Sequence, residues 1–315
     1  MSETLTLRAH AKINLALWVG AADPKSTPPG MHPICSWMVP IELTDTLMLR
    51  QLKKGEPSRY VLEWGADAPR PSPIDWPIEK DLTARAHRLL EERAGRALPV
   101  ELRLAKRTPV GGGLGGGSSD GAACLMGVNR LFELGLNGDE LRRLSARLGS
   151  DVAFFIEDEA KEGGAGPARG AVVSGFGDVV ERLGAGPREA VVLVLPPFGC
   201  PTGAVYRAFD ARPDAGDRSG RVRELARSAA GVERGDVPGE IPFEGLFNDL
   251  AGPACDVEPR LGEVLRRLWA VGVGAHVTGS GSTVFAPVGA PGADEVVKRV
   301  RAACPECMVV VTRTV

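Results

Sequence analysis

A two-domain α+β fold is expected, and three features of the chain predict it. Strand patterning fills the start, helices and strands then mix without strict alternation, and a long glycine-rich segment joins a strand to a helix. Residues 4–18 alternate. Leu5, Leu7, Ala9, Ala11, Ile13, Leu15 and Leu17 fall on one face, and Thr6, Arg8, His10, Lys12 and Asn14 on the other, the two-residue period of a strand. Residues 34–50 and 59–64 read as further strands, with proline-rich loops at 21–33 and 70–77. A helix is expected over 81–94, burying Leu82, Ala86, Leu89 and Leu90. Strand 99–105, the glycine segment and a helix over 118–133 follow, the helix burying Ala122, Leu125, Met126 and Phe132. Asp139 is expected to cap a helix that ends at Gly149. Val191–Leu195 is a short apolar run suited to a buried strand. Residues 211–240 read as a charged excursion containing a helix over 221–230. Helix 256–271, helix 293–303 and strand 308–314 complete the pattern. A boundary near residue 185 divides the chain into domains 1–185 and 186–315.

Composition narrows the function classes. Of 315 residues, 43% are hydrophobic and 25% charged, as in ordinary soluble domains. The formal charge of −2 supplies no global field for nucleic acid or anionic membrane. No apolar run reaches the ~18 residues of a membrane span, and strand patterning so near the first residue leaves no room for a signal peptide. A cytoplasmic protein is the expectation. The six cysteines are scattered, so no disulfide framework is expected. Cys304-Pro-Glu-Cys307 is one C-x-x-C without a second pair, too few ligands for a zinc site.

The most telling segment is Pro109-Val-Gly-Gly-Gly-Leu-Gly-Gly-Gly-Ser-Ser-Asp-Gly-Ala-Ala123. Glycine lets backbone amides turn inward on an anion, and a helix start adds free N–H groups and a positive dipole end. Such a loop suits a polyphosphate. It is not a Walker A loop: Gly112 to Gly117 has the spacing, but Ser118 stands where lysine is needed. Gly111-x-Gly113-x-x-Gly116 satisfies the dinucleotide spacing. The acid that might bind ribose, Glu133, sits at the end of the same helical pattern rather than on a second strand.

Three further sites carry chemistry. Lys12 and Asn14 share a strand face in Ala9-His-Ala-Lys-Ile-Asn-Leu-Ala16, which otherwise reads as a solvated face. Asp151, just before Val-Ala-Phe-Phe-Ile, is expected to be partly desolvated and to need a cation, with Lys12 the candidate. Gly279-Ser280-Gly281, after Thr278, is a second glycine-rich turn between strands.

The glycine segment resembles motif 2 of the kinases named for galactose, homoserine, mevalonate and phosphomevalonate. Residues 9–16 resemble motif 1 and residues 279–281 motif 3, in the same order. Within that superfamily the chain is most similar to the branch that phosphorylates 4-diphosphocytidyl-2-C-methyl-D-erythritol in the non-mevalonate isoprenoid route. The resemblance implies an N-terminal domain like domain 2 of ribosomal protein S5, a C-terminal α/β sandwich and an active site in the cleft between them. It implies ATP and Mg2+, with phosphoryl transfer to an alcohol. Asp151 is then the general base, and Lys12 pairs with it and stabilises the transferring phosphoryl group. Gly111, Gly112, Gly113, Leu114, Gly115, Gly116, Gly117, Ser118 and Ser119 cradle the triphosphate, and Ser118 or Ser119 turns a hydroxyl toward the metal. Asp81, Leu82, Lys106 and Pro109 edge the adenine pocket. Asn14, His32, Thr202, Tyr206, Gly279, Ser280 and Gly281 hold the alcohol substrate, His32 and Tyr206 at its cytosine. Met31 stands where the branch has an aromatic residue, Asp81 where it usually has asparagine, and Ser150 and Ala153 where it has glycine and proline.

Overall fold

The computed structural model describes residues 4–157, 168–184, 188–213, 216–230, 241–288 and 292–315. They fall into two units that interleave along the chain: 1–11, 43–110 and 115–168 in one, 12–42, 111–114 and 169–315 in the other.

The first unit begins on β1 (Thr4–Val19) and takes up β2 (Ile34–Gln51) from Leu43 onward. It continues through β3 (Arg59–Trp64), α1 (Leu82–Ala94), β4 (Val100–Lys106), α2 (Gly116–Leu131) and α3 (Gly138–Ser145). β4 pairs antiparallel with β2 (Met48 opposite Arg103) and parallel with β3 (Val61 opposite Arg103). α1 packs on α2, and a 3-10 turn at Ser150–Phe155 packs on both α2 and α3.

Several expected features shift for local physical reasons. α2 starts at Gly116, two residues early, because Gly115 takes a left-handed conformation (φ 70°) at the N-cap. It is buried nearly all round, so its core side is not confined to one stripe, and Met126 is among its more open positions. Asn137, not Asp139, caps α3: it accepts from Glu140 N–H while Glu140 returns the bond, a capping box, and the helix ends at Ser145. α1 buries Thr83, Ala84 and His87 as well as Ala86, Leu89 and Leu90, while Leu82 is only half-buried.

His87 lies wholly inside this unit. Its Nε2–H donates to Leu98 O (2.8 Å), which leaves Nδ1 to accept from the Tyr60 hydroxyl (2.8 Å). Burial holds the imidazole below its ordinary value of 6.5 and pushes the Tyr60 phenol up to about 12. The native state therefore keeps His87 neutral while the unfolded chain takes a proton. Stability is present above about pH 6.5 and is lost as pH falls toward the lowered native value. Tm should fall between pH 7 and 5.5, and His87→Asn should flatten that slope. An unchanged slope would remove His87 as its source.

The second unit contains the C-terminal half of β1, the N-terminal half of β2, and everything from residue 169. Its elements are β5 (Ala171–Gly175), β6 (Val179–Arg182), β7 (Ala190–Leu195), α4 (Thr202–Asp210), α5 (Ser219–Ala229), β8 (Phe247–Asn248), α6 (Ala251–Val257), α7 (Pro259–Ala270), β9 (His276–Val277), β10 (Val284–Pro287), α8 (Ala293–Ala303) and β11 (Met308–Arg313). β8 runs parallel to β1 at Ala16–Leu17, and β5 pairs antiparallel with Ile34–Met38 of β2 and with β6. A separate sheet has the order β11-β7-β10-β9, with the expected strand 191–195 buried near its centre. The helix expected over 256–271 is two helices: Pro259 opens α7, and the preceding residue cannot stay helical. Residues 231–240 of the charged excursion lie outside the described residues. No described helix is long and apolar enough to cross a membrane.

Alternation along β1 fades at the change of unit. Both faces are buried from Ala11 to Leu17, so Lys12 and Asn14, each 2% exposed, are not on a solvated face. All six cysteines are free thiols, and among the described residues no cluster of three or more His, Cys, Asp or Glu could hold a metal ion.

Candidate active site

In the second unit, burying Lys12 demands acceptors for its ammonium. Nζ donates to Asn14 Oδ1 (2.6 Å) and to Gly113 O (3.0 Å), while the backbone N–H of Lys12 donates to Leu114 O (2.9 Å). One lysine thus grips the glycine loop twice. The turn at residues 278–283 closes on the same loop: Thr283 N–H donates to Gly112 O (3.2 Å). Gly113 has φ 75°, and a Cβ there would lie 2.3 Å from Thr278 O. Only glycine meets both conditions. Lys12, Asn14, the glycine loop at Gly112–Leu114 and the 278–283 turn therefore come together.

Thr202, at the start of α4, shares a hydrogen bond with Ser280 (2.9 Å). One turn on, Tyr206 lies against His32, ring centroids 4.9 Å apart, and Phe209 meets the same ring edge-on at 5.7 Å. Phe209 was missed in the sequence, although Tyr206-x-x-Phe209 places two aromatic rings on one helical face. His32 Nδ1–H donates to Gly20 O (2.9 Å), which turns Nε2 toward Asp210 Oδ1 at 3.5 Å. Met31 adjoins them and is tied through its N–H to Ser26 Oγ (2.9 Å).

In the first unit, Gly115 to Ser119 form the N-cap and first turn of α2, with Ser119 buried and Ser118 half-buried. Pro109 is buried just ahead of the loop. Asp81 caps α1: one oxygen accepts from Thr83 N–H (2.9 Å) and the other from Trp76 Nε1–H (3.0 Å). Leu82 follows it at the helix start, against Gly117 and Gly121. Asp151 sits half-exposed in the 3-10 turn whose next four residues are buried; Phe154 and Phe155 pack edge to face at 4.9 Å.

Lys106 is buried between two carboxylates, Asp45 Oδ2 (2.8 Å) and Asp120 Oδ2 (2.6 Å). Asp45 Oδ1 also accepts from Arg107 and Thr108 N–H, both at 2.6 Å. Burial alone would lower the Lys106 pKa, but Asp120 and Asp45 outweigh it and raise it. Burial pushes Asp120 well above the usual carboxylate range against the pull of Lys106, since one cation serves two acids and Asp120 Oδ1 finds no partner. Neither acid stood out in the sequence: Asp45 reads as one more polar residue in a strand, and Asp120 as a helix-start acid. Asp45 fixes the chain leading into the glycine loop. Asp45→Ala leaves Lys106 paired with Asp120 but strands the Arg107 and Thr108 N–H donors, at about 1–3 kcal/mol each, and so should lower Tm by ~4 °C or more. A shift under ~2 °C would contradict this.

A lysine-gripped glycine loop followed in the chain by a helix N-terminus, and closed by a second glycine turn, fits a small-molecule kinase of the GHMP fold. Residues 81–159 match the family described as GHMP kinases N terminal domain. The chain is 36% identical to the 4-diphosphocytidyl-2-C-methyl-D-erythritol kinase of Pelotomaculum thermopropionicum over 89% of its length and 88% of that chain. With the kinase of the same name from Moorella thermoacetica it shares 35% identity over 99% of both chains. A crystal structure of 4-(cytidine 5'-diphospho)-2C-methyl-D-erythritol kinase superposes with a TM-score of 0.70 at 28% identity, covering 99% of this chain and 100% of that one. Mevalonate kinase from L. major, at 17% identity and a TM-score of 0.62, shares the fold. The chain belongs to the 4-diphosphocytidyl-2-C-methyl-D-erythritol kinase family, and it is a phosphotransferase that uses ATP.

Proposed function

We propose that the chain transfers the γ-phosphoryl group of ATP to the 2-hydroxyl of 4-diphosphocytidyl-2-C-methyl-D-erythritol, with Lys12 and Asp151 as its catalytic residues. The observation that carries this reading is the Lys12 ammonium braced between Asn14 and the glycine loop at Gly113 O. Phosphoryl transfer depends on positioning and charge stabilisation. Backbone amides of Gly111 to Ser119 receive the triphosphate, and Lys12 offsets negative charge as the phosphoryl group moves. Asp151 takes the hydroxyl proton. Asp81, Leu82, Lys106 and Pro109 line the adenine end, with Asp81 acting through the Thr83 N–H it caps and Lys106 through its hold on Asp45. Mg2+ would be held by the phosphates and one protein hydroxyl, Ser118 or Ser119; two hard oxygen donors in the first turn of α2 fit an ion that keeps most of its ligands from water and phosphate. It would neutralise the polyphosphate.

In the second unit, His32 with Tyr206 and Phe209 offers an aromatic face for cytosine. His32 Nε2 and Asp210 are both acceptors for an exocyclic amino group. Met31 adds a polarizable side chain where a second ring would stack. Thr202, Ser280 and the turn at Gly279 and Gly281 contact the methylerythritol. The protein works in the cytoplasm, as monomer or homodimer, without nucleic acid or membrane. Phosphorus NMR of the product tests the reading: a new phosphomonoester on C2 of the methylerythritol is expected. Phosphorylation elsewhere, or release of free phosphate alone, would contradict it.

A further inference from the structure

Asn14 can face Lys12 with either end of its amide, and only one end accepts a hydrogen bond. Two buried hydroxyls settle which. Ser36, on β2, donates its proton to Ala16 O (3.0 Å), so toward Asn14 it can only accept, and it takes Asn14 Nδ2–H at 2.8 Å. Thr278 accepts the backbone N–H of Asn14 (2.9 Å), which leaves its own proton to donate to Asn14 Oδ1 (3.2 Å). Turning the amide over would set donor against donor at Lys12 and acceptor against acceptor at Ser36. Both hydroxyls lie in residues fully screened from solvent, so water cannot repair such a mismatch.

Thr278 also braces the second anchor of Lys12. Its carbonyl packs where a Cβ of Gly113 would be, and Gly113 O is a second acceptor of the ammonium. Asn248 holds the turn in place, donating through Nδ2 to Val277 O and Gly279 O, both at 2.8 Å.

We propose that Ser36 and Thr278 are positioning residues for phosphoryl transfer: they lock Asn14 so that its carbonyl oxygen, with Gly113 O, fixes the Lys12 ammonium. This rests on the reading of Lys12 as catalytic. The test measures kcat, the KM values for ATP and 4-diphosphocytidyl-2-C-methyl-D-erythritol, and Tm for Thr278→Val, Thr278→Ser and Ser36→Ala. Thr278→Val and Lys12→Met are also combined. Misplacing a catalytic group by about 1 Å can cost ~10²-fold. Thr278→Val and Ser36→Ala should each lower kcat roughly 10- to 100-fold, with both KM values little changed. Thr278→Ser, which keeps the hydroxyl, should recover most of the loss. In the Lys12→Met background Thr278→Val should cost nothing more, because residues acting through one group are not additive.

Serine no better than valine, or a full further loss in the Lys12→Met background, would overturn the inference by making Thr278 a packing residue only. Wild-type kcat in both Thr278→Val and Ser36→Ala would also overturn it, and if Lys12→Met is itself severely impaired the catalytic reading of Lys12 survives. Wild-type kcat in Lys12→Met would fell that reading and this inference together.

Discussion

Asp151→Asn should lower kcat by ~10²–10⁴-fold while leaving Tm nearly unchanged. The substitution keeps the shape of the side chain and removes its capacity to take a proton. Val152, Ala153, Phe154 and Phe155 are buried and pin the turn from the downstream side, and Gly149 enters it in an extended conformation. In the proposed role, apolar burial positions Asp151 and its carboxylate takes the proton, two properties the variant separates. Turnover within threefold of wild type would remove Asp151 as the base. A matching fall in Tm would make it structural.

The second large effect is expected at Gly113. In Gly113→Ala the new methyl group meets Thr278 O at 2.3 Å and Gly281 O at 3.1 Å, and the backbone, at φ 75°, is one that alanine resists. Backbone cannot swing aside as a flexible side chain can, so the loop and the 278–283 turn must separate. Lys12 loses the placement of Gly113 O, and kcat should fall by ~10²-fold or more. Gly111→Ala is the matched control: φ is 70°, but nothing lies within 4 Å of the added carbon. It carries only the conformational cost, about 1–3 kcal/mol, and should retain far more activity. Equal losses in the two variants would show that strain, not the close approach of two loops, makes glycine necessary here.

The long periodic elements were legible because their signal is local. Strand 4–18, strand 59–64 and helix 293–303 appear within a residue or so of expectation. What the sequence hid depends on partners far away in the chain. Lys12 and Asn14 sit on what reads as a polar strand face, and distant residues, 36, 113 and 278 among them, turn that face into an interior. Asp45 has no motif; its function is read from Arg107, Thr108 and Lys106, some 60 positions later. Short elements such as β8 and β9 exist because neighbouring strands provide their hydrogen bonds, so two residues carry no signal of their own. Helix ends were misplaced where one residue decides: Gly115 starts α2 early, Asn137 displaces Asp139, and Pro259 divides one expected helix into two. The motif residues, by contrast, were identifiable because their types are chemically constrained, and glycine at 113 could be nothing else.

The measurement that tests the central claim most directly is ADP release from ATP and Mg2+ with 4-diphosphocytidyl-2-C-methyl-D-erythritol, beside mevalonate, homoserine and galactose. Turnover on the cytidyl substrate alone, abolished in Asp151→Asn, is the predicted result. Preferred turnover on one of the other alcohols, or ATP binding with no turnover on any of the four, would contradict it.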